Sequence, residues 1–262
     1  MAEPAHRRAA GPEWLPCYSA LRAPAARLVC FGPAGSSPAF FRGWSELVPA
    51  DVEVRIVGLP GRERRVREEP VEEMTVLVAA VRDALLPYLD VPTVLFGHSM
   101  GASVAFETAR LLEAAGTRNL AGLVVSGRSS PRTQIDVPSR ISELDDAGLI
   151  AYLYGLGGIP QGLFEDADMR DALLPPFRTD FRLLDHYVPE LRPRVAAPVT
   201  VMYGNQDPRV SAQDAARWDE VAENPVEVEC FLGGHFYLSD RAPEVVRSAT
   251  RTLSDPHVRS LH

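Results

Sequence analysis

The chain has 262 residues, 46% of them hydrophobic and 24% charged, proportions of a soluble globular protein long enough for one α/β domain. Its formal net charge of −8 argues against nucleic acid or an anionic membrane as the main partner. The three cysteines, Cys17, Cys30 and Cys230, are odd in number and far apart, which fits neither a disulfide framework nor a metal site and favours a reducing compartment.

Residues 1–13 are rich in Ala, Pro and Arg and read as a disordered tail. Arg7 and Arg8 stand there without the apolar stretch of a signal peptide, and no apolar run in the chain approaches the length of a membrane span. The expectation is a cytoplasmic monomer with a single domain over 14–253 and a second disordered tail at 254–262.

Leu28 to Phe31 is a short strand, stopped by the small-residue loop Gly32-Pro33-Ala34-Gly35-Ser36-Ser37. Phe40 to Leu47 carries Phe40, Phe41, Trp44 and Leu47 at helical spacing, and Val52 to Val57 is the second strand. Met74 to Leu89 is an amphipathic helix with Leu77, Val78, Val81, Leu85 and Leu89 on one face. Pro92 opens a third strand that runs into Gly97-His98-Ser99-Met100-Gly101, and a helix pattern through Val104, Phe106, Ala109 and Leu112 follows to Gly116. Further strands are Leu120 to Ser126, Val199 to Tyr203 and Val226 to Phe231, with a last helix over Pro243 to Leu253.

This alternation predicts the α/β class, a parallel central sheet with helices on both faces and functional groups at the carboxyl ends of the strands. One stretch breaks it. Between Arg128 and Pro198 there is no strand signal, only helical patterns over Leu144 to Tyr154 and Met169 to Tyr187. A stretch of about 70 residues is too long for a plain loop. It reads either as a helical lid over the strand ends, spanning 129–195, or as a helical subdomain that gates nothing.

The pentapeptide Gly97-His98-Ser99-Met100-Gly101 has the form G-x-S-x-G, a sharp strand-to-helix turn that lifts a serine hydroxyl out of a sheet. A serine needs a base, and the base an orienting acid. Of the six histidines, His6, His257 and His262 lie in the tails, His186 in the lid stretch, and His98 at the variable position of the turn, directed away from Ser99. His235 remains, on a glycine-rich loop after the last strand. Asp207, directly after strand 199–203, supplies the acid, with Asp214 and Asp219 as rivals on the following helix. The order Ser99, Asp207, His235 is that of serine hydrolases with this kind of sheet. An oxyanion hole would use the N–H of Met100 at the positive end of the elbow helix. Its second N–H would come from Ala34, since Pro33 has none.

Several stretches together resemble the stand-alone type II thioesterases that accompany polyketide synthases and non-ribosomal peptide synthetases, in the α/β-hydrolase superfamily. They are Phe31 to Ser37, Phe41-Arg42-Gly43-Trp44, Leu59-Pro60-Gly61-Arg62-Glu63, Phe96 to Gly101, Leu174 to Tyr187, Asp207-Pro208 and Gly233-Gly234-His235-Phe236. In one departure, Gly32-Pro33-Ala34-Gly35-Ser36 stands where the family loop reads Phe-Pro-(aromatic or His)-Ala-Gly-Gly-Ser. The resemblance implies an α/β-hydrolase fold and hydrolysis of acyl groups from the phosphopantetheine arm of acyl or peptidyl carrier proteins, with no cofactor of the enzyme's own. A general carboxylesterase, or an acyltransferase or cyclase acting through the same serine, is the alternative. Carrier proteins of this kind are acidic, so Arg62, Arg64, Arg65 and Arg67 are a candidate docking patch; interleaved Glu63, Glu68 and Glu69 equally fit a self-paired loop.

Overall fold

The computed structural model describes residues 11–136, 140–190 and 193–254. Six strands, β1 (Ala26–Phe31), β2 (Val52–Ile56), β3 (Thr93–His98), β4 (Leu120–Ser126), β5 (Val199–Gly204) and β6 (Glu227–Phe231), form one sheet in the order β2-β1-β3-β4-β5-β6. Every pairing between them is parallel. The order changes direction between β1 and β3, and the crevice outside the strand ends at such a point is where this class of sheet holds ligands.

Strand side chains alternate between two cores, as the period of two requires. Val29, Phe31, Leu95, Leu123 and Val125 pack with α1 (Met74–Leu85) and α2 (Met100–Ala114). Leu28, Cys30, Val94, Phe96 and Val124 pack on the other face with Phe41, Trp44, Val245 and Val246. Central strands buried on both faces explain the near-continuous apolar runs. β6 is an edge and alternates instead, its Glu227 paired with Arg251 and its Glu229 accepting a hydrogen bond from Ser248, charges that discourage further strand pairing.

The helix expected over Phe40 to Leu47 is a 3₁₀ helix, Pro38–Glu46. With three residues per turn, Phe41 and Trp44 eclipse, and both rings meet Phe96, at 5.8 and 4.7 Å between centroids. The expected Met74 to Leu89 helix gives way at Leu85 to a 3₁₀ turn over Leu86–Tyr88, because Pro87 lacks the N–H that would continue the α ladder. The helix expected over Pro243 to Leu253 is α8 (Ala242–Ala249) followed by a 3₁₀ turn at Thr252–Ser254, and the short, unexpected α7 (Tyr237–Asp240) precedes it.

Between β4 and β5 the chain carries α3 (Pro131–Asp136), α4 (Asp146–Leu156) and α5 (Ala167–Asp185) and, among the described residues, joins no strand to the sheet. α6 (Ala212–Ala216) follows β5. Of the expected tails at 1–13 and 254–262, residues 1–10 and 255–262 lie outside the described residues, and Ser254 ends a 3₁₀ turn. Pro12 and Glu13, assigned to the first tail, instead form a 3₁₀ turn with Trp14, whose ring is buried beneath the Arg65 guanidinium at 3.8 Å.

Candidate active site

Ser99 sits between β3 and α2 with φ 56° and ψ −118°, a conformation that costs a non-glycine residue energy and is found at functional turns. The flanking glycines make it sterically feasible. A Cβ on Gly97 would come within 2.3 Å of the Gly101 carbonyl oxygen, and one on Gly101 within 2.1 Å of the Phe31 carbonyl oxygen. The elbow is thus wedged between its own helix and the exit of β1.

The loops after β5 and β6 bring the expected partners to it. His235 Nε2 is 3.0 Å from Ser99 Oγ, and His235 Nδ1 is 2.8 Å from Asp207 Oδ2. The second oxygen of Asp207 accepts the Arg209 N–H at 2.8 Å. The side chains of His235 and Asp207 are 3% and 0% exposed, so this line of hydrogen bonds is shielded from water and electrostatically strengthened. The rivals are engaged elsewhere. Asp214 closes a capping box with Ser211 at the start of α6, and Asp219 accepts the Val226 N–H. His186 is exposed just past α5.

For His98 the sequence sets only a direction, away from Ser99. Its ring does turn toward β4, where Nδ1 lies 2.9 Å from Ser126 Oγ, which in turn lies 2.6 Å from the Tyr237 hydroxyl. Its ring centroid is also 5.0 Å from that of His235. Burial, and secondarily the charge of His235, push the His98 imidazole well below its ordinary pKa, so it is a neutral ring beside His235. The signal available in the sequence was a histidine at the last position of a wholly buried strand.

Met100 opens α2 and is buried, while Ala34 lies with Ser99 along the wall of a cavity of about 620 Å³. Apolar groups of the β4–β5 excursion, among them Ile141, Leu153, Leu156, Phe177 and Phe181, line the same cavity as Ser99 and His235. A polar sector adds Gln134, Tyr152, Asp185 and Arg128. The Arg128 guanidinium donates to Ser103 Oγ at 3.0 Å and to Gln134 Oε1 at 2.5 Å, and burial pushes its pKa down to about 10. Neither Arg128 nor Gln134 carried a motif that would have marked it.

The four-arginine docking patch is not one surface. Arg62 is buried and paired with Asp180. Arg65 is buried too, donating to the Gly58 carbonyl at 2.7 Å and pairing with Glu68. Only Arg64 and Arg67 are exposed. A guanidinium buried and held by hydrogen bonds is not free to meet a partner protein. Among the described residues no cluster of three or more His, Cys, Asp or Glu is arranged to hold a metal ion, and no helix is long and apolar enough to cross a membrane.

A parallel sheet with a serine elbow after β3, an acid after β5 and a histidine after β6 is the arrangement of an α/β-hydrolase. The chain belongs to the thioesterase family, whose thioesterase domain matches residues 26–253. It is 36% identical to a probable cadicidin biosynthesis thioesterase of Streptomyces griseus, over 92% of this chain and 66% of that protein. It is 32% identical to the gramicidin S biosynthesis protein GrsT of Aneurinibacillus migulanus, over 87% of this chain and 88% of that one. Among solved structures, the type II thioesterase BorB from the borrelidin biosynthetic cluster superposes with a TM-score of 0.83 at 32% identity, covering 92% of this chain and 98% of its own.

Proposed function

We propose that this chain is a type II thioesterase that hydrolyses acyl groups from the phosphopantetheine arm of acyl or peptidyl carrier proteins, clearing aberrant or stalled chains. The observation that carries the reading is the buried hydrogen-bonded line from Asp207 through His235 to Ser99 at the cavity wall, in a member of the thioesterase family.

In this reading Ser99 Oγ attacks the thioester carbonyl while His235 Nε2 takes its proton. Asp207 holds the imidazole in the tautomer whose Nε2 is free to accept, and stabilises the imidazolium that forms. The N–H groups of Met100 and Ala34 receive the oxyanion. On collapse the C–S bond breaks, and His235 returns its proton to the pantetheine sulfur. A thiol, with a pKa near ~8.5, is a far better leaving group than an alcohol. Water, deprotonated by His235, then cleaves the acyl-serine, and the same proton restores Ser99. The protein's own side chains and backbone complete the cycle without a cofactor. Helices α3 to α5 form the lid, a role supported by the apolar groups they contribute to the cavity.

Mass spectrometry of the protein incubated with a panel of acyl-carrier thioesters tests this. A mass increase on Ser99 equal to the acyl group, together with released acid, is expected. Turnover that survives Ser99→Ala would overturn it, and faster hydrolysis of a matching simple ester would favour a general carboxylesterase.

A further inference from the structure

Asp180, on α5, is a buried carboxylate that the chemistry above does not use. Its Oδ2 accepts the Gly35 N–H at 2.7 Å, and its Oδ1 is paired with the Arg62 guanidinium. The other arm of Arg62 donates to the Ser36 carbonyl at 2.8 Å. One buried ion pair therefore grips Gly35 and Ser36 from two sides, immediately after Ala34. Gly35 has φ 72°, and a Cβ there would lie 2.2 Å from the Phe177 ring, so α5 meets this loop through Phe177 and, one turn on, through Asp180.

The grip decides which N–H the loop presents. Pro33 has none, the Gly35 N–H goes to Asp180, and the Ser36 N–H goes to the Pro33 carbonyl at 3.1 Å. Among the described residues, Ala34 is the one residue from 33 to 36 whose N–H is left without a partner. A carboxylate this close to a developing oxyanion would oppose it if unpaired, and Arg62 cancels that charge. Burial pushes the Asp180 carboxyl above its ordinary pKa, and Arg62 acts against that shift.

We propose that Asp180 and Arg62 are positioning residues of the oxyanion hole. Asp180 fixes the loop so that the Ala34 N–H points at the reacting carbonyl, and Arg62 keeps the Asp180 charge from opposing the transition state. The lid helix α5 and the oxyanion loop are thereby one unit. This rests on the reading of Ser99 as nucleophile and Ala34 as donor.

The test compares Asp180→Asn, Arg62→Gln and the double variant with the unaltered protein. The readouts are kcat and KM on an acyl-carrier thioester, and affinity for two pantetheine analogues. One is a trifluoromethyl ketone, which forms an oxyanion adduct with Ser99; the other is an unreactive thioether. Asp180→Asn should lower kcat by roughly ten- to a hundredfold, the scale of a misplaced donor. Ketone affinity should fall in proportion, with KM and thioether affinity nearly unchanged. Arg62→Gln alone should lose more than the double variant at alkaline pH, where it leaves the carboxylate charged and uncompensated, and the gap should close as falling pH protonates Asp180. Unchanged ketone affinity, or a parallel loss for the thioether, overturns the proposal. Should Asp180→Asn melt below the assay temperature, Arg62→Lys keeps the charge but loosens the hold on Ser36, and an undiminished kcat in that variant also overturns it. Failure of the unaltered protein to form a ketone adduct on Ser99 would instead sink the nucleophile reading, and the positioning role with it.

Discussion

Gly204 and Gly234 touch backbone to backbone: a Cβ on Gly204 would come within 2.3 Å of the Gly234 carbonyl oxygen. Gly204 ends β5, three residues before Asp207, and Gly234 directly precedes His235. Around this contact the Gln206 N–H donates to the Gly233 carbonyl at 2.9 Å, and the Gly233 N–H donates to Asn205 Oδ1 at 3.0 Å. The loops that carry Asp207 and His235 are thus laced into one piece by backbone groups and the Asn205 side chain. The 2.8 Å Asp207–His235 bond depends on a glycine that carries no chemistry of its own.

Gly204→Ala should therefore push the two loops apart. Overpacking of this kind costs roughly 1–3 kcal/mol, and a displacement approaching 1 Å between base and nucleophile lowers rate by about 10²-fold. Steady-state kinetics with a carrier-bound thioester, beside a thermal melt, would reveal both effects. A variant that melts lower yet keeps its full kcat would show that the contact shapes the fold and not the catalytic line.

His98 offers a test by pH. Its folded pKa lies below the unfolded value of about 6.5 because burial resists the charge. Above that pH both states are neutral and the contribution to stability is complete. Below it the unfolded chain takes up a proton that the folded chain refuses, so stability falls as pH drops toward the folded pKa. Melting temperatures at pH 7.5 and 5.5 should show a larger drop for the unaltered protein than for His98→Gln; equal drops would mean that His98 titrates normally. Tyr237→Phe, which removes the hydroxyl beside Ser126, should cost about 1 kcal/mol.

Much of this architecture was legible because local signals agreed with the global fold. Leu120 to Ser126 is apolar on both faces and became a strand with those bounds, and Ser99, Asp207 and His235 follow from chain order and elimination. What escaped depends on contacts between distant segments. Arg62 looked like a surface charge because its partner Asp180 lies in α5, in another part of the chain. The contacts of His98 with Ser126 and His235 escaped because a turn motif does not say what its variable side chain meets. The six-residue α3 escaped because a helix so short is held by packing more than by periodicity.

Arg65 illustrates how the docking expectation is replaced. It stacks on Trp14, donates to the Gly58 carbonyl and pairs with Glu68, so it fastens the N-terminal turn to the loop after β2. Arg65→Ala should lower stability by about 1–3 kcal/mol, the scale of a buried charged hydrogen bond with its cation–π contact. It should leave KM for a carrier-bound thioester unchanged. Denaturant titration and steady-state kinetics decide it: an undiminished midpoint with a raised KM would return Arg65 to the docking surface.

Asp207→Asn tests the logic of the catalytic line itself. Asp207 now accepts two hydrogen bonds, from the Arg209 N–H at one oxygen and from His235 Nδ1 at the other. An asparagine carbonyl can keep the first bond, which turns its NH₂ toward His235. That NH₂ can only donate, so His235 Nδ1 must accept and the ring proton moves to Nε2. An imidazole with its proton on Nε2 cannot take the proton of Ser99. The geometry survives while the base is lost, and kcat should fall on the order of 10³–10⁴-fold with KM little changed. Thermal stability should stay near that of the unaltered protein, because the hydrogen bonds are exchanged and not removed. The accompanying observable is the imidazole tautomer, read from the ¹⁵N chemical shifts of labelled His235, which should move the proton from Nδ1 to Nε2. A loss of less than about tenfold in kcat with that tautomer change in place would mean that His235 is not the base that activates Ser99.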